Sequence, residues 1–175
     1  GRERYRPTFL AVGLLNRVLG GDLVKIAREG ADPTWTCTCS GAVGPRGGGR
    51  AEEPFEVPYI QAYAVRDGAR RAAVLFNFSR NDALPVRLTL PAPPAGGSAI
   101  CWTLAADRID ADNEDTEQVR VVEEAPAITG TAFSLALRPF SMTVVAWRQA
   151  DSAVPRMRRP AGAGRGAAIP PRNHA

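Results

Sequence analysis

The chain has 175 residues, 45% of them hydrophobic and 23% charged, with a net charge of +4. That length suits one domain with tails, and no stretch approaches the roughly 20 consecutive apolar residues that cross a bilayer as a helix. Arg156, Arg158, Arg159, Arg165 and Arg172 crowd the far C-terminus and leave the body near neutral, which argues against a folded basic face for nucleic acid.

Gly1-Arg2-Glu3-Arg4-Tyr5-Arg6 has no initiator Met and no apolar core of a signal peptide. It reads as the start of a piece, or of a processed product, and leaves localisation open, a secreted parent protein being one option. Pro7 to Leu19 predicts a helix. Pro7 suits the first turn, where its missing N–H is not needed. Leu10, Leu14 and Val18 recur every fourth residue, with Ala11, Leu15 and Leu19 beside them, which makes a broad apolar stripe. Gly20-Gly21 ends it. So short a helix is marginal by itself, and the width of its stripe predicts packing against a large neighbouring body.

Strands follow at short spacing. Asp22–Ile26 and Thr34–Cys39 flank the turn chemistry of Gly30-Ala31-Asp32-Pro33, and residues 41–54 read as a long Gly- and Pro-rich loop. Tyr59–Arg66 and Arg70–Phe78 form a hairpin through Asp67-Gly68. Leu84, Val86, Leu88 and Leu90 alternate with Pro85, Arg87 and Thr89, and Pro85 implies that the strand lies on an edge or begins there. Ile100, Trp102 and Leu104 share one face of the next strand. After an acidic loop from Ala106 to Thr116 come a short strand at Gln118–Val122 and a closing pair, Thr131–Leu137 and Ser141–Trp147, bent at Pro139. The expected fold is mainly β: an antiparallel β-sandwich of about eight or nine strands, 22–148, preceded by one helix within 1–21. Residues 149–175 lack periodicity and read as a disordered tail.

No constellation of residues points to chemistry, so no catalytic, cofactor-binding or metal-binding residue is assigned. Asp107, Asp110, Asp112, Glu114 and Asp115 are oxygen-rich, but their spacing is not that of an EF-hand. Glu52, Glu53 and Glu56 sit in a flexible context that cannot hold two carboxyls at a fixed separation. Glu123 and Glu124 read as a water-exposed strand end. The only histidine, His174, lies in the tail and serves no serine. With no other His, Cys37, Cys39 and Cys101 make no zinc site; they are either three thiols or one disulfide from Cys101 to Cys37 or Cys39 plus a thiol left over. Asn77-Phe78-Ser79 is a glycosylation sequon, read as carrying no modification. Trp35, Tyr59, Tyr63, Trp102 and Trp147 read as packing residues more readily than as a sugar platform.

Several segments, in order, carry a resemblance. Arg6-Pro7-Thr8-Phe9-Leu10-Ala11-Val12 is similar to the last helix of the (β/α)8 barrel in retaining glycoside hydrolases of the α-L-arabinofuranosidase kind. Gly21-Asp22-Leu23-Val24-Lys25 resembles the start of the sandwich that follows the barrel. Ala73-Val74-Leu75-Phe76-Asn77-Phe78 resembles that sandwich's apolar strand ending in Asn, and Asp112-Asn113-Glu114 its Asn-containing loop. Phe133 to Val144, with Arg138-Pro139-Phe140-Ser141 at the bend, resembles its closing hairpin. The resemblance implies a non-catalytic C-terminal sandwich of a glycoside hydrolase, its partner the parent's catalytic barrel and, further off, polysaccharide. The barrel strands that bear the catalytic glutamates are not in this sequence, so no catalytic residue carries over and the chain alone is not expected to be an enzyme. The alternatives are an independent carbohydrate-binding module or a structural sandwich unrelated to sugars. Neither a membrane nor nucleic acid is an expected partner.

Overall fold

A computed structural model of the chain describes residues 5–37, 54–126, 128 and 130–149. One helix, α1 (Pro7–Val18), is followed by ten strands: β1 (Asp22–Val24), β2 (Thr34–Cys37), β3 (Phe55–Pro58), β4 (Ile60–Asp67), β5 (Arg70–Asn77), β6 (Leu84–Thr89), β7 (Ile100–Ala105), β8 (Arg120–Glu124), β9 (Ala132–Leu137) and β10 (Ser141–Arg148). Six of them make one antiparallel sheet in the order β1-β4-β5-β10-β7-β8. β6 pairs only with β9, and β2 only with β3. The fold is a β-sandwich in which the β6–β9 ribbon covers one face of the large sheet and α1 lies on the other.

The alternation of side chains along β5 and β10 sorts the two layers. Val74, Val144, Met142 and Leu104 join Leu14 and Val119 in a core under the helix. Leu75, Val145 and Cys101 face the other way and pack against Leu84, Val86, Leu88, Phe133, Leu135 and Leu137 of the ribbon. Both faces of β10 are buried, consistent with the near-continuous apolar run of Met142 to Ala146.

Several expectations need correction. The stripe of Leu10, Ala11, Leu14, Leu15 and Val18 packs on the chain's own sheet, chiefly over β10, β7 and β8, and not on a separate body. Leu19, counted in that stripe, is exposed. β3 occupies residues 55–58, left unassigned between the 41–54 loop and the strand expected from Tyr59: two prolines and a glutamate hid a strand that pairs with β2. The short strand expected at Gln118–Val122 runs two residues later, because Gln118 and Val119 donate their N–H groups to Asn113 and not to a neighbouring strand. β1 ends at Val24, short of Ile26. The 41–53 segment, Cys39 and residues 150–175 lie outside the described residues, whereas the Gln149 N–H bonds Ala69 at 2.9 Å.

Gly21 is where the helix is joined to the sheet. Its φ is +80°, and any Cβ there would collide with the Arg66 carbonyl oxygen, so only glycine fits the step from α1 into β1.

Candidate functional site

Two buried asparagines do most of the polar work inside the molecule. Asn77, at the end of β5, is 1% exposed. Its Nδ2 donates to the carbonyls of Asp82, Leu137 and Arg138 at 2.8, 3.1 and 2.9 Å, while its Oδ1 accepts from the Ser79 N–H at 2.9 Å. The carboxamide thereby ties the β5–β6 turn to the bend between β9 and β10. A nitrogen held this way is out of reach of a glycosyl donor, which removes the functional reading of the sequon. Asn113 does the same in the acidic loop. Its Nδ2 donates to Tyr5 and Val119, and its Oδ1 accepts from Gln118 and Val119. The loop's carboxylates turn outward to arginines: Asp107 to Arg138, Asp110 to Arg108 and Glu114 to Arg6.

The remaining acidic candidates are scattered. Glu56 accepts hydrogen bonds from the Thr34 and Thr36 hydroxyls, each 2.6 Å long. These hold its carboxyl below the usual carboxylate range, so at neutral pH it carries no proton to give, the opposite of what a general acid needs. Glu123 accepts from the Trp102 indole N–H at 2.6 Å across the β7–β8 pair, and Glu124 stands on the exposed end of the same strand. Glu52, Glu53 and His174 lie outside the described residues. Among the described residues no three His, Cys, Asp or Glu side chains come together as metal ligands would.

Cys101 is a free thiol buried beneath the ribbon, so the disulfide option to Cys37 is not realised. Burial pushes its thiol up, partly offset by a hydrogen bond with Thr103. A thiol that is both buried and protonated reacts slowly. In the native chain, modification of Cys101 by a thiol-exchange reagent is expected to run roughly a hundredfold or more slower than in denaturant, limited by local opening. Mass-spectrometric mapping of labelled peptides against time checks this.

The aromatics form a chain of contacts: Tyr63–Phe76, Phe76–Phe78, Phe78–Trp35 and Trp35–Tyr59, with ring centroids 5.1–6.4 Å apart. Two of these meet edge to face, at 67° and 83°, the geometry of packing and not of a flat sugar platform.

What remains outward-facing is apolar and ordered. Tyr5, Phe9, Val12 and Leu19 are exposed, Phe9 by 60%, and Tyr5 stacks on Phe9 at 4.8 Å. Phe9 and Val12 stand on the side of α1 away from Leu14, and Tyr5 and Leu19 flank the helix just beyond its two ends. Sequence reading assigned a single stripe to α1 and missed this second apolar face; the spacing of Phe9 and Val12 was the available signal. Beside it, the β1–β4 side of the sheet leaves Leu23 and Tyr63 exposed, by 72% and 50%. These two stand on the helix-bearing face, since Leu23 opposes Val65 and Tyr63 opposes Val74.

No family model matches the chain, and no curated protein matches it. Among solved structures it is similar to the thermostable GH51 α-L-arabinofuranosidase from Thermotoga petrophila RKU-1, with 27% identity over 53% of this chain and 20% of that one and a TM-score of 0.46. It is similar also to the α-L-arabinofuranosidase from Thermotoga maritima in its arabinose complex (26% identity, 55% and 21% of the two chains, TM-score 0.47). A third likeness is to CelM2, a bifunctional glucanase-xylanase from a metagenome library (16%, 56% and 18%, TM-score 0.42). The matched region spans about a fifth of each of these proteins.

Proposed function

We propose that this chain is a non-catalytic accessory β-sandwich of an α-L-arabinofuranosidase-like glycoside hydrolase, and that the parent's catalytic (β/α)8 barrel covers the outward face of α1. The observation that carries the reading is the second apolar face. α1 already uses one face on its own sheet, yet Phe9 and Val12 stand exposed on the opposite face, with Tyr5 and Leu19 exposed just beyond its ends. A cluster of exposed apolar side chains of this kind marks an interaction site. The ordered resemblance from Arg6 to Val144 supports a barrel as the covering body. In this role the sandwich contributes stability and position, and the two glutamates that cleave the glycosidic bond stand on the barrel.

Two measurements test the reading. The coding sequence upstream of Gly1 is expected to encode a (β/α)8 barrel with two strand-end glutamates; an unrelated domain there overturns the proposal. The purified chain is expected to release no nitrophenol from a panel of aryl glycosides, arabinofuranoside included. Turnover that survives repurification and tracks the protein peak contradicts it.

A further inference from the structure

At the C-terminal end of α1 the helix stops short of the sheet's edge and leaves a cavity of about 640 Å³. Its walls include four arginines, Arg17, Arg70, Arg71 and Arg148, against one carboxylate, Asp67, together with Trp102 and Trp147. Arg70 and Arg148 are direct cross-strand partners on β5 and β10. They therefore share a face of the sheet, the one α1 occupies. Like charges placed directly opposite one another destabilise a strand pair. Among the described residues, neither they nor Arg17 make a salt bridge, not even with Asp67, which directly opposes Arg70 on β4.

Two of the cleft's side chains are held by neighbours. The Arg17 guanidinium sits 5.5 Å from the centre of the Trp102 ring, and that ring is anchored by its hydrogen bond to Glu123. Arg71 is held by the carbonyls of Gly68 and Arg70. Trp147 shares the face of Val145 on β10 and packs with Ala99, Cys101 and Ile128 beneath the ribbon, so its indole stands on the opposite face. On the helix side the cavity gathers the guanidinium groups of Arg17, Arg70 and Arg148 against the single carboxylate of Asp67.

We infer that this cleft is a binding site for a carboxylate-bearing sugar, a uronate unit of an acidic oligosaccharide. Guanidinium pairs recognise carboxylates through paired N–H donors. The volume falls in the range of small-molecule sites and exceeds what a bare inorganic anion fills. Trp102 and Ile100, which share the helix-bearing face of β7, supply the apolar wall that a pyranose ring needs and an inorganic anion does not. The sugar half of the assignment rests on the accessory-domain reading; the anionic half stands on the arginines alone.

The test titrates the full chain with digalacturonate, reading the indole N–H resonance of Trp102, with that of Trp147 beneath the ribbon as the reference. Parallel arms use inorganic phosphate and neutral xylobiose. Digalacturonate is expected to saturate and to shift the Trp102 indole, with phosphate and xylobiose each binding at least tenfold more weakly. The Arg70→Gln/Arg148→Gln double variant is expected to lose roughly tenfold or more in affinity with a melting temperature unchanged or slightly raised, and Arg87→Gln, on the exposed side of β6, to lose nothing. Phosphate binding as tightly as digalacturonate, full affinity in the double variant, or no shift at millimolar digalacturonate each overturns the assignment. None of those results touches the accessory reading, which is decided by the upstream coding sequence.

Discussion

Asn77→Leu lowers the unfolding free energy of the chain by about 3–5 kcal/mol and its melting temperature correspondingly. The substitution removes the Asn77 partner from the carbonyls of Asp82, Leu137 and Arg138 and from the Ser79 N–H, with the Leu137 and Ser79 bonds fully buried and the Arg138 carbonyl keeping only the Ser141 hydroxyl. Each buried group left unmade costs about 1–3 kcal/mol, and the loss falls at the junction of three strands. Leucine has the same number and branching of side-chain heavy atoms and leaves no cavity, so the effect reports lost polar satisfaction together with the crowding of its larger methyl groups. Asn81→Leu, at an exposed position in the same turn, is expected to stay within about 0.5 kcal/mol. Urea denaturation followed by tryptophan fluorescence measures both. Equal stability in the two variants would mean that the Asn77 network is not formed.

Leu14→Ala removes about 2–5 kcal/mol. Leu14 is 2% exposed and lies against Val74, Leu104, Met142 and Val144, all on central strands whose backbones are fixed by pairing on both sides. Such a site cannot collapse to fill the space, which places the loss toward the upper part of that range. On the other side of the same helix, Phe9→Ala is expected to change the stability of the isolated chain by no more than about 0.5 kcal/mol, since most of that ring already meets water. The contrast between two apolar residues five positions apart is the energetic signature of a helix with one face used internally and one held in reserve. A large loss at Phe9 would show that the outward stripe packs within this chain after all.

Much of the sandwich was legible because its strands carry strong local signals. Asp67-Gly68 marked the β4–β5 hairpin, the alternation from Leu84 to Leu90 marked a half-buried strand with Pro85 at an edge or its start, and Ser141 to Trp147 read as the closing strand. What escaped did so for identifiable reasons. β3 has prolines on both flanks and no alternation, so only its partner β2 reveals it. The start of β8 depends on a side chain, Asn113, taking two backbone donors that local pattern assigns to a strand. The helix was the largest miss. Periodicity shows that a face is apolar but not which body covers it, and α1 has two such faces; the broader one met the sheet and the narrower one met solvent.

The cationic cleft was also invisible in the sequence, for a topological reason. Arg17, Arg70 and Arg148 are far apart in the chain and converge only because β10 inserts between β5 and β7 and α1 ends above them. Charge counts along the sequence drew attention to the C-terminal arginines and away from these. Asn77 and Asn113 were visible as elements of a resemblance, but their hydrogen-bonding role follows only from their burial.

Hydroxyl-radical footprinting of the excised chain and of the natural polypeptide that contains it tests the central claim most directly. If the outward face of α1 is a docking surface, Tyr5, Phe9, Leu19 and Leu23 are labelled readily in the excised chain and several-fold less in the natural polypeptide, while Phe55 on β3 and Val122 on the ribbon side of β8 serve as references for the total dose. Equal labelling of all four residues in the two samples would show that nothing covers this face, and would contradict the account.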